Sequence, residues 1–218
     1  AEYFATANPQ LAAYRPFVSK DADIFGDRAL AEKLAAGAGW EIKFFHEPRT
    51  IAVAVLTNRR TGAATLTVEV LRGVRGLSRK ELKDADLVEL RPGQVYRIPS
   101  PIRLLKAKLA NVREITPTRA HDVQHVRLLV TLTPQYVREQ HTQVVGGHLL
   151  ERTLINALHE LSSVIESPAS RAIEVRHGLN LASALPADLP TAGLPKLAAF
   201  YLHRSAPRPR GRISPKRL

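Results

Sequence analysis

The chain has 218 residues, 44% of them hydrophobic and 24% charged, with no cysteine, no methionine, a net charge of +12 and a pI near 10.5. That length and apolar content support a packed core, and no apolar run reaches the roughly 18 residues that a helical membrane span needs. Without cysteine there are no disulfides, thiolate-zinc sites or cysteine nucleophile, and so basic a balance favours a polyanionic partner such as nucleotide, RNA or DNA.

Residues 1–17 carry no signal-peptide pattern, and the absence of cysteine fits a cytoplasmic protein, which is the expected location. They read instead as a helical fragment, with Pro9 suited to a helix start and Leu11, Ala12 and Tyr14 able to pack. Val18 to Gly26 reads as a short β-strand. Residues i and i+2 of a strand share a face, so Asp21 and Asp23 project together while Ala22 and Ile24 point the other way, toward a core. Asp27 is a candidate N-cap for a helix from Arg28 to Ala36, ended by Gly37. Strands follow over Glu41–Phe45, Ile51–Thr57 and Ala64–Leu71, the last two joined by a turn at Asn58-Arg59-Arg60-Thr61-Gly62. Ser78 and Glu81 have capping-box spacing for a short helix, and Asp86–Leu90 with Val95–Ile98 forms a hairpin around Pro92-Gly93.

Beyond Pro99 the period changes. Ser100-Pro101 reads as an N-cap and first helical residue, and Ile102, Leu105, Leu109 and Val112 recur at helical spacing. A second helix is predicted from Thr118 or Arg119 through Leu132 with Val123, Val126 and Val130 inward, and Pro134 is expected to start a third. Gly147–Glu166, Pro168–His177 and Lys196–His203 read as further helices, with Gly178 closing the second of them. Strands first and helices later predict an α+β fold: a small mixed β-sheet core over 1–99, a helical C-terminal half over 100–203, and a disordered basic tail over 204–218. That tail carries Arg204, Arg208, Arg210, Arg212, Lys216 and Arg217 with no acid among them, and is expected to bind polyanions without sequence preference.

Asp21 and Asp23 repel unless a cation lies between them, and a hard divalent cation such as Mg²⁺, with oxygen ligands and open positions for phosphate, meets that need; taken alone, the stretch reads equally as a turn, since Asp before Gly-Asp is common loop punctuation. Glu69 shares a strand face with Thr65 and Thr67, opposite Leu66, Val68 and Val70. Beside the Asp21–Asp23 strand it would complete a three-carboxylate site able to hold two metal ions; alone, it reads as a solvated glutamate on a sheet face. Lys106 and Lys108 lie on the helix after Ser100, and Lys108, off the apolar stripe, could neutralise a triphosphate or serve as a surface lysine. His121 and His125 have zinc-compatible spacing, but a third ligand is not evident. Gly146-Gly147 reads as a hinge or as a phosphate-holding helix start.

Ser19-Lys20-Asp21-Ala22-Asp23-Ile24-Phe25 resembles the Ser/Thr-x-Asp-x-Asp-hydrophobic motif of the nucleotidyltransferase superfamily, the group with the DNA polymerase beta-type catalytic fold. Val68-Glu69-Val70-Leu71 falls where that family has its third carboxylate. Pro99 to Leu109 resembles the following helix, on which abortive-infection-type nucleotidyltransferase toxins carry a functional lysine, and Arg119 to Val126 resembles their next helix, with its aspartate. The resemblance spans about residues 15–135 and rests on order and spacing. It implies Mg²⁺ held by Asp21, Asp23 and Glu69, with Glu69 helping to deprotonate an acceptor hydroxyl, and substrate contacts from Lys20, Lys108 and Asp122. The implied reaction moves an NMP from an NTP to a hydroxyl of RNA (tRNA included), protein or a small molecule, in a toxin–antitoxin or phage-defence setting with a cognate antitoxin as partner and no membrane. The alternative is a non-catalytic nucleotide- or RNA-binding member of the same fold.

Two departures stand out. The family's Gly-Gly or Gly-Ser pair on a helix just upstream of the aspartates, which holds the triphosphate, has no counterpart before Asp21, and His125 stands where relatives often have another aspartate. The first departure leads to the expectation that the native product extends upstream of Ala1 and carries such a pair there.

Overall fold

The computed structural model describes residues 9–14, 21–37, 39–47, 50–58, 65–114 and 120–205. The fold is α+β, with strands in the first half and helices concentrated in the second. Among the described residues, no helix is long and apolar enough to cross a membrane.

Four strands form one sheet: β1 (Asp21–Phe25), β2 (Trp40–Phe44), β3 (Ala52–Asn58) and β4 (Leu66–Leu71), in the order β1-β4-β3-β2. β1 and β4 are parallel, while β4–β3 and β3–β2 are antiparallel. Helix α1 (Arg28–Ala35) leaves β1 through Gly26-Asp27, and the Asp27 carboxylate accepts a hydrogen bond of 3.0 Å from Leu30 N–H, as an N-cap should. α1 lays Ala31 and Leu34 on the sheet face formed by Ile42, Phe44, Ala54, Leu56, Val68 and Val70. The short apolar residue Ala31 lets the helix approach closely, and burial of these side chains holds the layer. Because β1 is an edge strand, the expected core role of Ala22 is not met: Ala22 is exposed and Ile24 only half-buried. Gly26 sits under α1 so tightly that a Cβ there would run into the Leu30 side chain.

The Ser78–Glu81 capping box forms at the start of α2 (Arg79–Lys83), with Ser78 N–H donating to Glu81 Oε2 at 2.7 Å and Glu81 N–H to Ser78 Oγ at 3.2 Å. β5 (Asp86–Arg91) and β6 (Gln94–Ile98) make a separate antiparallel hairpin. Helix α3 (Pro101–Glu114) follows, then α4 (Ala120–Val145), α5 (Glu151–Glu166), α6 (Pro168–His177) and α7 (Pro195–Ser205). Their core contains the expected Ile102, Leu105, Leu109 and Val126, joined by Leu154, Leu158, Leu161, Leu181 and Leu197, all nearly or fully buried.

Several boundaries depart from the sequence reading. Pro134 does not start a new helix; it lies inside α4, which runs unbroken on both sides of it. The buried residues Val126, Leu129, Val137 and Val144 fall on one face, so packing outweighs the lost hydrogen bond of about 3 kcal/mol. Gly147 ends α4 rather than starting α5: with φ of 73° it takes the left-handed conformation, and His148 N–H reaches back to Gln143 O at 2.8 Å. That end of a helix presents carbonyls, so the glycine pair has the wrong polarity for phosphate. Arg204 belongs to α7, where its guanidinium contacts Glu166 Oε1 at 2.6 Å and Ser162 Oγ at 2.9 Å; it is not part of a free tail. Residues 206–218 lie outside the described residues. In the N-terminal fragment Leu11 is fully buried against Leu128, Leu132 and Tyr136 of α4.

Candidate active site

β1 and β4 pair in register, with Asp21 beside Thr67, Asp23 beside Glu69 and Phe25 beside Leu71. Partners on neighbouring strands lie about 4.8 Å apart and face the same way. β3 and β2 extend these rows, with Val55 beside Glu69, Thr57 beside Thr67, Lys43 beside Val55 and Glu41 beside Thr57. One row across the sheet thus reads Asp23, Glu69, Val55, Lys43. α1 covers the opposite face, so Asp23 and Glu69 lie away from the apolar layer beneath it. Asp23 is exposed and Glu69 half-buried.

Asp21 pairs with Thr67 in the same register, while its side chain, like all of Lys20, lies outside what the structure describes. Among the described residues no group of three His, Asp or Glu side chains is arranged to hold a metal. His121 and His125 are both exposed on α4.

Lys108 and Asp122 are joined to each other. Lys108 Nζ lies 3.3 Å from Asp122 Oδ1, bridging α3 and α4, with the Asp122 side chain only 9% exposed and Lys108 30%. A carboxylate that far from water needs such a partner, so the pair has a structural role whether or not it also meets substrate.

Lys106 has a different task. Its Nζ lies 2.6 Å from Glu81 Oε1, and Arg103, one turn earlier on α3, donates to the carbonyls of Glu81 and Asp84 at 2.8 and 2.7 Å. Both fasten α2 to α3. Burial alone would raise the Glu81 carboxyl, but the hydrogen bonds from Lys106 and Ser78 and the Lys106 charge outweigh it and hold the group down at about 2. The hairpin is tied to α4 by Tyr136 Oη, 3.2 Å from Asp86 Oδ2, and burial together with that carboxylate pushes the Tyr136 hydroxyl well above its ordinary range.

Sequence reasoning did not single out the basic residues that follow β4, namely Arg72, Arg75, Arg79 and Lys80. Their clustering directly after the strand of Glu69 is the signal that marks them. No family model matches the chain, and no curated protein matches it.

Proposed function

We propose that the chain is a metal-dependent nucleotidyltransferase, moving an NMP from an NTP to a hydroxyl with release of pyrophosphate. The observation that carries this reading is the parallel register of β1 and β4, which sets Asp23 beside Glu69, with Asp21 two residues earlier on the same strand. Three carboxylates form a hard, all-oxygen donor set of the kind Mg²⁺ takes. Asp21, Asp23 and Glu69 would hold Mg²⁺, which when bound neutralises phosphate charge and activates the acceptor hydroxyl. The Glu69 carboxylate is the group we assign to take the acceptor proton. The acceptor oxygen then bonds to the α-phosphorus as the bond to the β-phosphate oxygen breaks. Lys20, Lys108 and Asp122 are candidates for substrate contacts. The net charge of +12 favours RNA, tRNA included, over protein as acceptor. A toxin–antitoxin setting and a cognate antitoxin stay part of the same proposal.

The test is incubation with each α-labelled NTP, Mg²⁺ and total RNA or total protein. Label entering one acceptor pool, and lost on chelation by EDTA, supports the reading. No transfer from any NTP would favour the non-catalytic nucleotide- or RNA-binding alternative.

A further inference from the structure

A cleft of about 700 Å³ opens at the carboxyl ends of β1 and β4, lined by Phe25, Gly26, Asp27, Arg28, Leu30, Val53, Arg72 and Arg79. Three of these residues are arginines and one is an acid. The acid is already engaged, since Asp27 caps α1. So is Arg28, whose Nε lies 2.8 Å from Glu32 and whose guanidinium lies 4.1 Å from the Phe44 ring centroid. Among the described residues neither Arg72 nor Arg79 forms an ion pair. Two arginines with no carboxylate partner therefore line one cleft.

The positions of these arginines are fixed by the fold. Arg72 directly follows β4, and its N–H bonds Ile51 O at 2.9 Å. Arg79 begins α2, which Lys106 and Arg103 fasten to α3. The cleft also adjoins the acidic face. Phe25, 38% exposed, follows Asp23 by two residues on the same side of β1, about 6.6 Å along the strand.

We propose that this cleft binds the triphosphate group of a nucleotide, with Arg72 and Arg79 as its ligands. This deepens the nucleotidyltransferase reading and rests on it for the identity of the substrate. Guanidinium forks match phosphate oxygens in geometry and keep their charge at any physiological pH. Crevices outside the carboxyl ends of parallel strands are where open α/β sheets take ligands, and a cleft of this size suits a small molecule. A local cleft lined by arginines fits a compact polyanion better than a nucleic-acid backbone, which is met along a groove or stripe.

The experiment is calorimetric titration of the full chain with inorganic tripolyphosphate, without metal, and in parallel with a short single-stranded RNA. Arg72→Ala and Arg79→Ala should each weaken tripolyphosphate binding by about tenfold, the effect of losing one charge-assisted contact. Arg72→Lys should recover part of the loss, RNA affinity should hold, and Lys80→Ala, outside the cleft, should match the wild type. Far-UV circular dichroism checks that each variant is folded. Wild-type tripolyphosphate affinity in both alanine variants, or a loss for RNA alone, would overturn the proposal. Transfer by Asp23→Asn is read separately, so failure of the cleft and failure of the carboxylate site are told apart.

Discussion

Asp23 and Glu69 are register partners on two parallel strands, one on the edge strand β1 and one on the inner strand β4. Like charges one strand spacing apart oppose each other and favour whatever cation comes between them. In the proposed site, replacing Glu69 with Gln would remove a metal ligand and a repulsion together. Mn²⁺ titration should show divalent-cation affinity falling by about tenfold or more. The metal-free thermal midpoint should change little, as neither side chain is part of the apolar layer under α1.

The Glu81–Lys106 contact gives a pH dependence whose sign is fixed. The carboxyl titrates at about 2 in the folded chain against an ordinary 4.5, so its contribution is fully present above 4.5 and fades as pH falls toward 2. Glu81→Gln should therefore lower the thermal midpoint near neutral pH, through loss of a charged hydrogen bond of about 2 kcal/mol. Scans at descending pH should show the gap between variant and wild type closing across that acid window. A gap that widens on acidification would contradict the assignment.

Lys108 and Asp122 can be separated into structural and substrate roles. Lys108→Met leaves the nearly buried Asp122 carboxylate without its partner, and should cost about 2 kcal/mol in urea unfolding. Lys108→Met combined with Asp122→Leu should recover most of that stability. If either residue also contacts substrate, NTP affinity measured calorimetrically stays low in the double variant; if the pair is purely structural, NTP affinity returns with stability.

Pro134 interrupts the hydrogen-bond ladder of α4 without breaking the helix. Pro134→Ala restores an N–H that can bond the Val130 carbonyl. The urea midpoint should rise by an amount equivalent to about 1 kcal/mol or more, with helix content unchanged or slightly higher. A destabilised variant would mean that the proline ring packs better than the restored bond compensates.

What the sequence disclosed was mainly local. The Asp27 cap, the Ser78–Glu81 box and the end of α6 at Gly178 each rest on a side chain or conformation within four residues, and all three form as read. Helical periodicity likewise identified Ile102, Leu105, Leu109 and Val126 as core. Pro134 was misread because its local penalty is visible in sequence, whereas the tertiary packing that outweighs it is not. Arg204 was assigned to a tail because it heads a basic run, while its partner Glu166 lies 38 residues away. For the site, alternation put Asp21 and Asp23 on one face, but their alignment with Glu69 depends on strand pairing across more than 40 residues. The arginine cleft depends on three separate segments, so no single motif announces it.

The central claim is that the carboxylates of β1 and β4 drive nucleotidyl transfer, and Asp23→Asn tests it most directly. Asp23 is exposed, so the substitution should leave the fold intact, with stability within about 1 kcal/mol of wild type. Wild type and variant are incubated with α-labelled NTP, Mg²⁺ and total RNA or protein, and the label joined to the acceptor is counted. Transfer by the wild type that is abolished in Asp23→Asn is the predicted result; equal transfer by the two proteins would contradict it.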